Sequence, residues 1–432
     1  MRFSAPPYMY DVLPFPSQKE PWLHTAKWRG VENIFRETAR LYGFREIRTP
    51  IVEQTELFTR SIGESTDIVS KEMFTFTDRG NRSLTLKPEG TAPAVRACIE
   101  HGLFGEHSLL KLYYVGQNFR YERGQKGRYR QHQQLGIEVF GGSDPSVDAE
   151  VISVAMAFYR AVGIQKLTLH INSLGSEQSR EAYRTALKGY VEPFLQEMSE
   201  EGQVRYRVNP LRMLDTKNET DLRLLKNAPI FTDFLDEESR QHFDALQKYL
   251  TALDIQYIVD PALVRGFDYY TGTVFEIRGE GLGSQDALGG GGRYDGLVAE
   301  CGGPQVSGFG FGLGIERCLL ALEALGIETP TVNEKPTAFV IAAGSEPEVK
   351  IAAMQLLNRM RTAGIAADMD FTGKNFRKQM KHADDLGAAF LLILGSDEVL
   401  NGTVQLKDQA TRTQEQIKME DIELELNNRL KH

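Results

Sequence analysis

Between Arg120 and Arg130 the chain reads Arg-Tyr-Glu-Arg-Gly-Gln-Lys-Gly-Arg-Tyr-Arg, five basic residues and one acidic. A local +4 with two interleaved tyrosines suits phosphate contacts beside stacked rings. On charge alone a solvated hairpin tip is the better reading. Strand parity shifts the balance. Along 129–140, Leu135, Ile137 and Val139 share one face, which reads as core, and Gln134, Gly136 and Glu138 share the other. A Gln and a Glu flanking a glycine make a polar floor with backbone room for a ligand. Gly116, Asn118 and Arg120 likewise fall on one face of the preceding strand. A solvent-exposed sheet face has the same pattern, so parity leaves both readings open.

Four further segments carry chemistry-bearing side chains. Pro88-Glu89-Gly90-Thr91 reads first as a turn with Thr91 capping a helix. Leu263-Val264-Arg265-Gly266-Phe267-Asp268-Tyr269-Tyr270 packs a cation, an acid and two phenols beside a glycine, and Gly289–Gly292 cushion a second Arg293-Tyr294-Asp295. Each also reads as a turn flanked by surface polar groups. Arg317 falls in the first turns of a helix, where a cation is unfavourable unless it and the helix end jointly meet an anion. The alternative is a salt bridge to Glu316 or Glu323. Lys374, Arg377, Lys378 and Lys381 share one helix face, a solvated stripe or a nucleic-acid contact.

These residues need elements to hold them. A long amphipathic helix is expected over 17–42 and an edge strand over 44–50, ended by Pro50. A short strand at 84–87, a helix at 92–102, and strands at 110–123 and 129–140 joined by Gly124–Arg128 make an antiparallel sheet with helices on one side, an α+β pattern. Residues 176–255 contain only two glycines and read as a mostly helical insert. Sheet returns at 256–278, glycine-rich loops occupy 279–293, and a strand at 306–311 feeds a helix at 313–325. Strands near 338–343, 365–369, 389–394 and 403–407 alternate with helices near 346–362, 374–386 and 419–430, a small α/β domain. The expected division is a core at 1–328, a linker at 329–336 and a C-terminal domain at 337–432.

Composition narrows the class. Apolar types make up 41% and charged types 25% of 432 residues, which excludes a disordered or fibrous chain. No apolar run reaches the ~18 residues of a membrane span, and the N-terminus lacks an apolar signal core, so neither membrane insertion nor export is expected. Three cysteines without a C-x-x-C pair argue against a disulfide framework or Cys-ligated zinc and fit a reducing cytosol. Scattered histidines give no metal motif. The net charge of −9 argues against nonspecific nucleic-acid coating but allows one local basic patch. No P-loop, Rossmann turn or nucleophile elbow occurs, so any nucleotide must be held otherwise.

In this order the pieces resemble a class II aminoacyl-tRNA synthetase. The first helix with Phe44–Pro50 is similar to motif 1, the dimer-forming element. Phe119-Arg120-Tyr121-Glu122 through Glu138 is similar to motif 2, and Gly308–Arg317 to motif 3. Leu263–Tyr270 and Gly291–Asp295 resemble the two signature peptides of the histidyl-tRNA synthetase family, and the helical insert and C-terminal α/β domain fit it. The resemblance implies a cytoplasmic homodimer that joins histidine to tRNA(His) through a histidyl-adenylate, with ATP as substrate and Mg²⁺ on its phosphates. It further implies that Glu89, Thr91 and Gln134 hold the histidine α-amino group, that Glu138 and Tyr270 meet the imidazole, that Tyr269 lines the pocket, and that Gly90 also belongs to the histidine site. By the same resemblance Arg120 binds the α-phosphate, Arg317 the γ-phosphate and Arg128 the outer phosphates. Arg265 sits over the reacting carboxylate, and Arg123 and Gln125 face the tRNA acceptor end.

Two positions depart from the family's pattern. Gly124 stands where proline is usual, and is expected to loosen the motif 2 loop. His132-Gln133 stands where Phe-His is common, and is expected to matter little because Gln134 and Glu138 keep their spacing. Two rival readings remain. One is a non-catalytic synthetase-like paralogue that regulates histidine biosynthesis by binding a phosphoribosyltransferase; it lacks the C-terminal domain and an intact first signature. The other is an ATP-dependent acid–amine ligase, which does not predict Glu138 with Tyr270.

Overall fold

The computed structural model describes residues 3–63, 66, 68–125, 127–216, 218–282 and 286–430. Lys126 of the basic hairpin lies outside them. The chain divides into two compact units, Met1–Val332 and Asn333–His432.

The first unit is built on an eight-stranded sheet. Its spatial order is Arg45–Glu46, Leu110–Phe119, Gln131–Phe140, Gly308–Gly314, Ala287–Arg293, Thr271–Gly279, Leu167–Ser173 and Tyr257–Val259. The two outermost pairings are parallel. Every pairing between them is antiparallel. The alternation read along 129–140 holds in three dimensions: Leu135, Ile137 and Val139 are buried beside Phe309, Phe311 and Leu313 of the neighbouring strand. Helices Thr25–Leu41, Pro145–Ala161, Glu237–Ala252 and Ile315–Ala324 cover this face.

Several expectations shift. The first helix begins at Thr25, not near 17. Pro21 disfavours helical backbone in the residue before it, and the segment is instead tied by a bridge between Leu13 and His24. The helix Pro145–Ala161 was not foreseen. Its start is signalled by Asp144, which accepts the Ser146 N–H at 2.8 Å, and by Pro145. The glycine-rich stretch expected as loop is largely a central strand, Ala287–Arg293. Glycine is rare in strands because it packs nothing. Here a Cβ on Gly291 would lie 1.9 Å from the Gly310 carbonyl oxygen, so the neighbouring backbone takes its place.

The insert is mostly helical, with its own core of Tyr183, Leu187, Val191, Met213 and Phe231. Its last helix, Glu237–Ala252, instead buries Phe243, Leu246 and Leu250 in the main core. The second unit holds a sheet ordered Ala367–Met369, Ala338–Ala342, Phe390–Leu394, Thr403–Asp408 and Gln414–Lys418. The last strand was missed because Gln-Glu-Gln-Ile-Lys is largely exposed and shows no buried face. The helix carrying the basic stripe starts at Phe376, so Lys374 precedes it and pairs with Asp370 at 3.7 Å.

Candidate active site

A cavity of about 740 Å³ opens on the face of the sheet opposite the helices. Its floor depends on missing side chains. In Gly308-Phe-Gly-Phe-Gly312 the two phenylalanines point into the core, and the glycines face the cavity side. A Cβ on Gly308 would lie 2.2 Å from the Tyr294 ring, one on Gly310 2.1 Å from a Glu138 carboxylate oxygen, and one on Gly312 2.0 Å from the Gln134 amide. The glycines therefore let three polar side chains lie flat across the strand.

Glu138 is the best-embedded of them. The Thr91 hydroxyl donates to it at 2.8 Å and the Tyr114 hydroxyl at 3.1 Å, and Tyr294 donates to its other oxygen. Burial pushes its pKa up to about 8, against the pull of those hydroxyls. Glu138 lies behind the lining, whereas Thr91, Gln134, Tyr269 and Tyr270 line the cavity. Glu89 also lines it, and its carboxylate accepts the N–H groups of Thr91 and Ala92 at 2.5 and 2.8 Å. The capping role expected of Thr91 thus belongs to Glu89, which frees the Thr91 hydroxyl for Glu138. Gly90 is packed against the Tyr114 ring, 2.3 Å from where a Cβ would be.

Six arginines line the same cavity: Arg120, Arg128, Arg265 and Arg317, and Arg205 and Arg212 of the helical insert. Arg120 Nε donates to the Pro88 carbonyl at 2.8 Å, and its guanidinium lies 5.4 Å from the Phe267 ring. Arg265 Nη1 lies 3.3 Å from Glu276, while its buried Nε has no hydrogen-bond partner. Arg317 forms a salt bridge with neither Glu316 nor Glu323. It donates instead to the carbonyls of Gly127 at 3.4 Å and Ala287 at 2.5 Å. Burial, and then the neighbouring Arg128, lowers its pKa. Arg120 and Arg128 share one carboxylate, Glu122, at 3.8 and 3.5 Å, while Arg317 reaches only carbonyls, so the cluster keeps a cationic character that suits a polyanion.

Two groups were not foreseen at the cavity. His132 is part of its wall, and burial together with Arg120 and Arg317 depresses its pKa to about 3, so the ring is neutral. The departure from the family pattern at this position therefore falls in the cavity wall. The insert contributes Val204, Arg205, Val208 and Arg212, and Arg212 pairs with Asp268 at 3.1 Å. Arg123 and Gln125 lie on the exposed loop, outside the lining. Among the described residues no group of three or more His, Cys, Asp or Glu is placed to hold a metal, and no helix is long and apolar enough to cross a membrane.

Residues 23–318 match the family model described as histidyl-tRNA synthetase. The chain belongs to the histidyl-tRNA synthetase family. Residues 337–429 match the anticodon binding domain. The histidine–tRNA ligase of Caldanaerobacter subterraneus subsp. tengcongensis is 47% identical, over 99% of this chain and 100% of that protein. That of Protochlamydia amoebophila is 44% identical over 99% and 100%. The crystal structure of apo S. aureus histidyl-tRNA synthetase superposes with a TM-score of 0.81 at 39% identity, covering 98% of this chain and 100% of that one.

Of the two segments that resembled histidyl-tRNA synthetase signatures, the second is buried, while the first is a turn that exposes Gly266 and Asp268 and buries Leu263, Tyr269 and Tyr270. In the second, Arg293 pairs with Asp148, which also meets His242 at 2.8 Å. This fixes the strand end next to Tyr294, whose hydroxyl reaches Glu138. Tyr114 and Asp148 gave no sequence signal, because their partners lie 24 and 145 residues away.

Proposed function

We propose that this cavity activates L-histidine with ATP and passes the histidyl group to tRNA(His). The carrying observation is four arginines from three segments beside a wall of Glu89, Thr91, Gln134 and two tyrosines. The reaction is attack of a carboxylate oxygen on the α-phosphorus, with pyrophosphate leaving. Negative charge gathers and little proton transfer is needed, so positioned cations do most of the work. Arg120 meets the α-phosphate, Arg128 and Arg317 the outer phosphates, and Arg265 the reacting carboxylate. Glu89, Thr91 and Gln134 receive the α-ammonium group, and Glu138 with Tyr270 reads the imidazole. The donor set fits a Mg²⁺ that arrives on the phosphates: Glu122, whose buried Oε2 accepts no hydrogen bond and lies 3.5 Å from Arg128, and Glu276 would hold it. The ion would neutralise charge on the leaving pyrophosphate.

Two chains forming a homodimer, and a cytoplasmic location, complete this reading. The regulatory alternative is disfavoured by the matched anticodon-binding unit and by both intact signature segments. That unit supplies the test. A chain ending at Val332 is expected to keep histidine-dependent exchange of pyrophosphate into ATP while charging of a tRNA(His) transcript falls steeply. Unchanged charging by the folded truncation would remove the second unit from tRNA recognition.

A further inference from the structure

The loop Arg120–Arg130 is gripped from outside by the N-terminal segment. Gly124 was expected to loosen it, but the Tyr8 ring lies over this glycine, 2.1 Å from where a Cβ would project. Arg130 donates its backbone N–H to the Tyr8 carbonyl at 3.0 Å. The Arg130 guanidinium lies 5.4 Å from the Tyr8 ring centroid and 3.6 Å from that of Tyr121. Tyr8 takes φ of +61°, a left-handed backbone unfavourable for a bulky residue. Such strain persists only where surrounding contacts over-determine it.

The grip continues along the segment. Tyr10 packs edge-on against Tyr129, at 5.0 Å between centroids, and its hydroxyl donates to Glu316. The same Glu316 oxygen accepts the Gln133 N–H at 2.7 Å. Glu316 directly precedes Arg317, which reaches back to the Gly127 carbonyl of the loop at 3.4 Å. Trp22 closes the cluster on Tyr129 at 5.3 Å. Both halves of the loop are thus fixed from behind by Tyr8, Tyr10 and Trp22, which line no part of the cavity, together with Glu316 and Arg317, which do.

We propose that Tyr8 is a positioning residue: seated on Gly124 and against Arg130, its ring holds the loop that presents Arg123, Gln125 and Arg128 to ATP and tRNA. Gly124 is then a socket, and its lack of a side chain is what allows the loop to be ordered. The inference rests on the reading of this loop as substrate-facing.

The test uses the full-length protein and three variants. Tyr8→Gly removes the ring and relieves the left-handed backbone. Gly124→Ala fills the socket. Tyr8→Phe keeps the ring. Tyr8→Gly and Gly124→Ala are expected to raise KM for ATP and tRNA roughly two- to thirtyfold, the span between an exposed and a desolvated cation–π contact. KM for histidine should stay within about twofold, and the double variant should be no worse than the worse single one, because both break one contact. Tyr8→Phe should behave as the parent. A merely structural role predicts KM changes that follow loss of Tm, whereas Tyr8→Gly should not lower Tm, since glycine suits that backbone. Parental KM values for ATP and tRNA in Tyr8→Gly would overturn the proposal. So would a Tyr8→Phe variant as impaired as Tyr8→Gly. If the parent itself showed no histidine-dependent exchange, the functional reading would fail instead.

Discussion

Replacing Arg265 by alanine is expected to slow histidyl-adenylate formation by about 10²–10³-fold, the usual cost of losing one donor aimed at developing charge. The guanidinium is poised for such a role. Its Nε is buried without a partner, and its one carboxylate contact, Glu276, is also held by Arg278 at 2.7 Å. Removing Arg265 therefore leaves Glu276 paired, and the fold has little reason to suffer. A Cβ on Gly290 would lie 3.2 Å from Arg265 Nη1, so the strand itself seats the group. An interaction realised mainly in the transition state lowers kcat and kcat/KM together. Single-turnover adenylate formation measures this. A variant within a few-fold of the parent, with unchanged Tm, would show that Arg265 is not at the reacting centre.

Glu138→Gln is expected to reduce kcat/KM for histidine by about 1.5–3 kcal/mol, the range for a hydrogen bond to a charged group. A carboxylate offers about four acceptor positions, and Thr91, Tyr114 and Tyr294 occupy three. The remaining one suits an imidazole N–H, while Tyr270 can donate to the ring's other nitrogen. An amino acid without those atoms leaves buried polar groups unpaired, which can discriminate by about 10⁴–10⁵ without editing. The KM for ATP should hardly change, since the phosphates are held by other side chains. A normal histidine KM with a large rise in the ATP KM would place Glu138 at the nucleotide.

The same variant carries a pH signature. Folding raises the Glu138 pKa from 4.5 to about 8. Between those values the folded protein holds a proton that the unfolded chain has lost, so this group's stabilisation declines as pH rises through about 8. Glu138→Gln does not titrate, and its Tm should gain on the parent as pH climbs. Histidine affinity should move oppositely. The accepting carboxylate becomes more available as pH rises, so the parent's advantage over the variant grows towards pH ~8 and then levels. A parent-to-variant ratio that is flat with pH would mean that Glu138 does not change protonation on binding.

Much of this arrangement was legible in the chain, and the exceptions have physical reasons. The period-two alternation of 131–140 placed Leu135, Ile137 and Val139 in the core because one face of that strand is packed. The order of arginine-bearing segments identified the family and gathered the cavity. The helix Pro145–Ala161 escaped because Val151, Ile152, Val154, Ala155, Phe158 and Tyr159 are all buried and leave no single apolar stripe. Ala287–Arg293 escaped because its glycines make room for other residues rather than pack themselves. The raised pKa of Glu138 depends on burial, and the grip of Tyr8 on Gly124 on a contact spanning over a hundred residues. Neither is encoded in local spacing.

The central claim is that this cavity selects histidine and joins it to AMP. Exchange of labelled pyrophosphate into ATP, run with Mg²⁺ across the twenty amino acids, tests it most directly. The account predicts exchange with histidine alone. Exchange with a different amino acid, or none with histidine by folded protein, would contradict it.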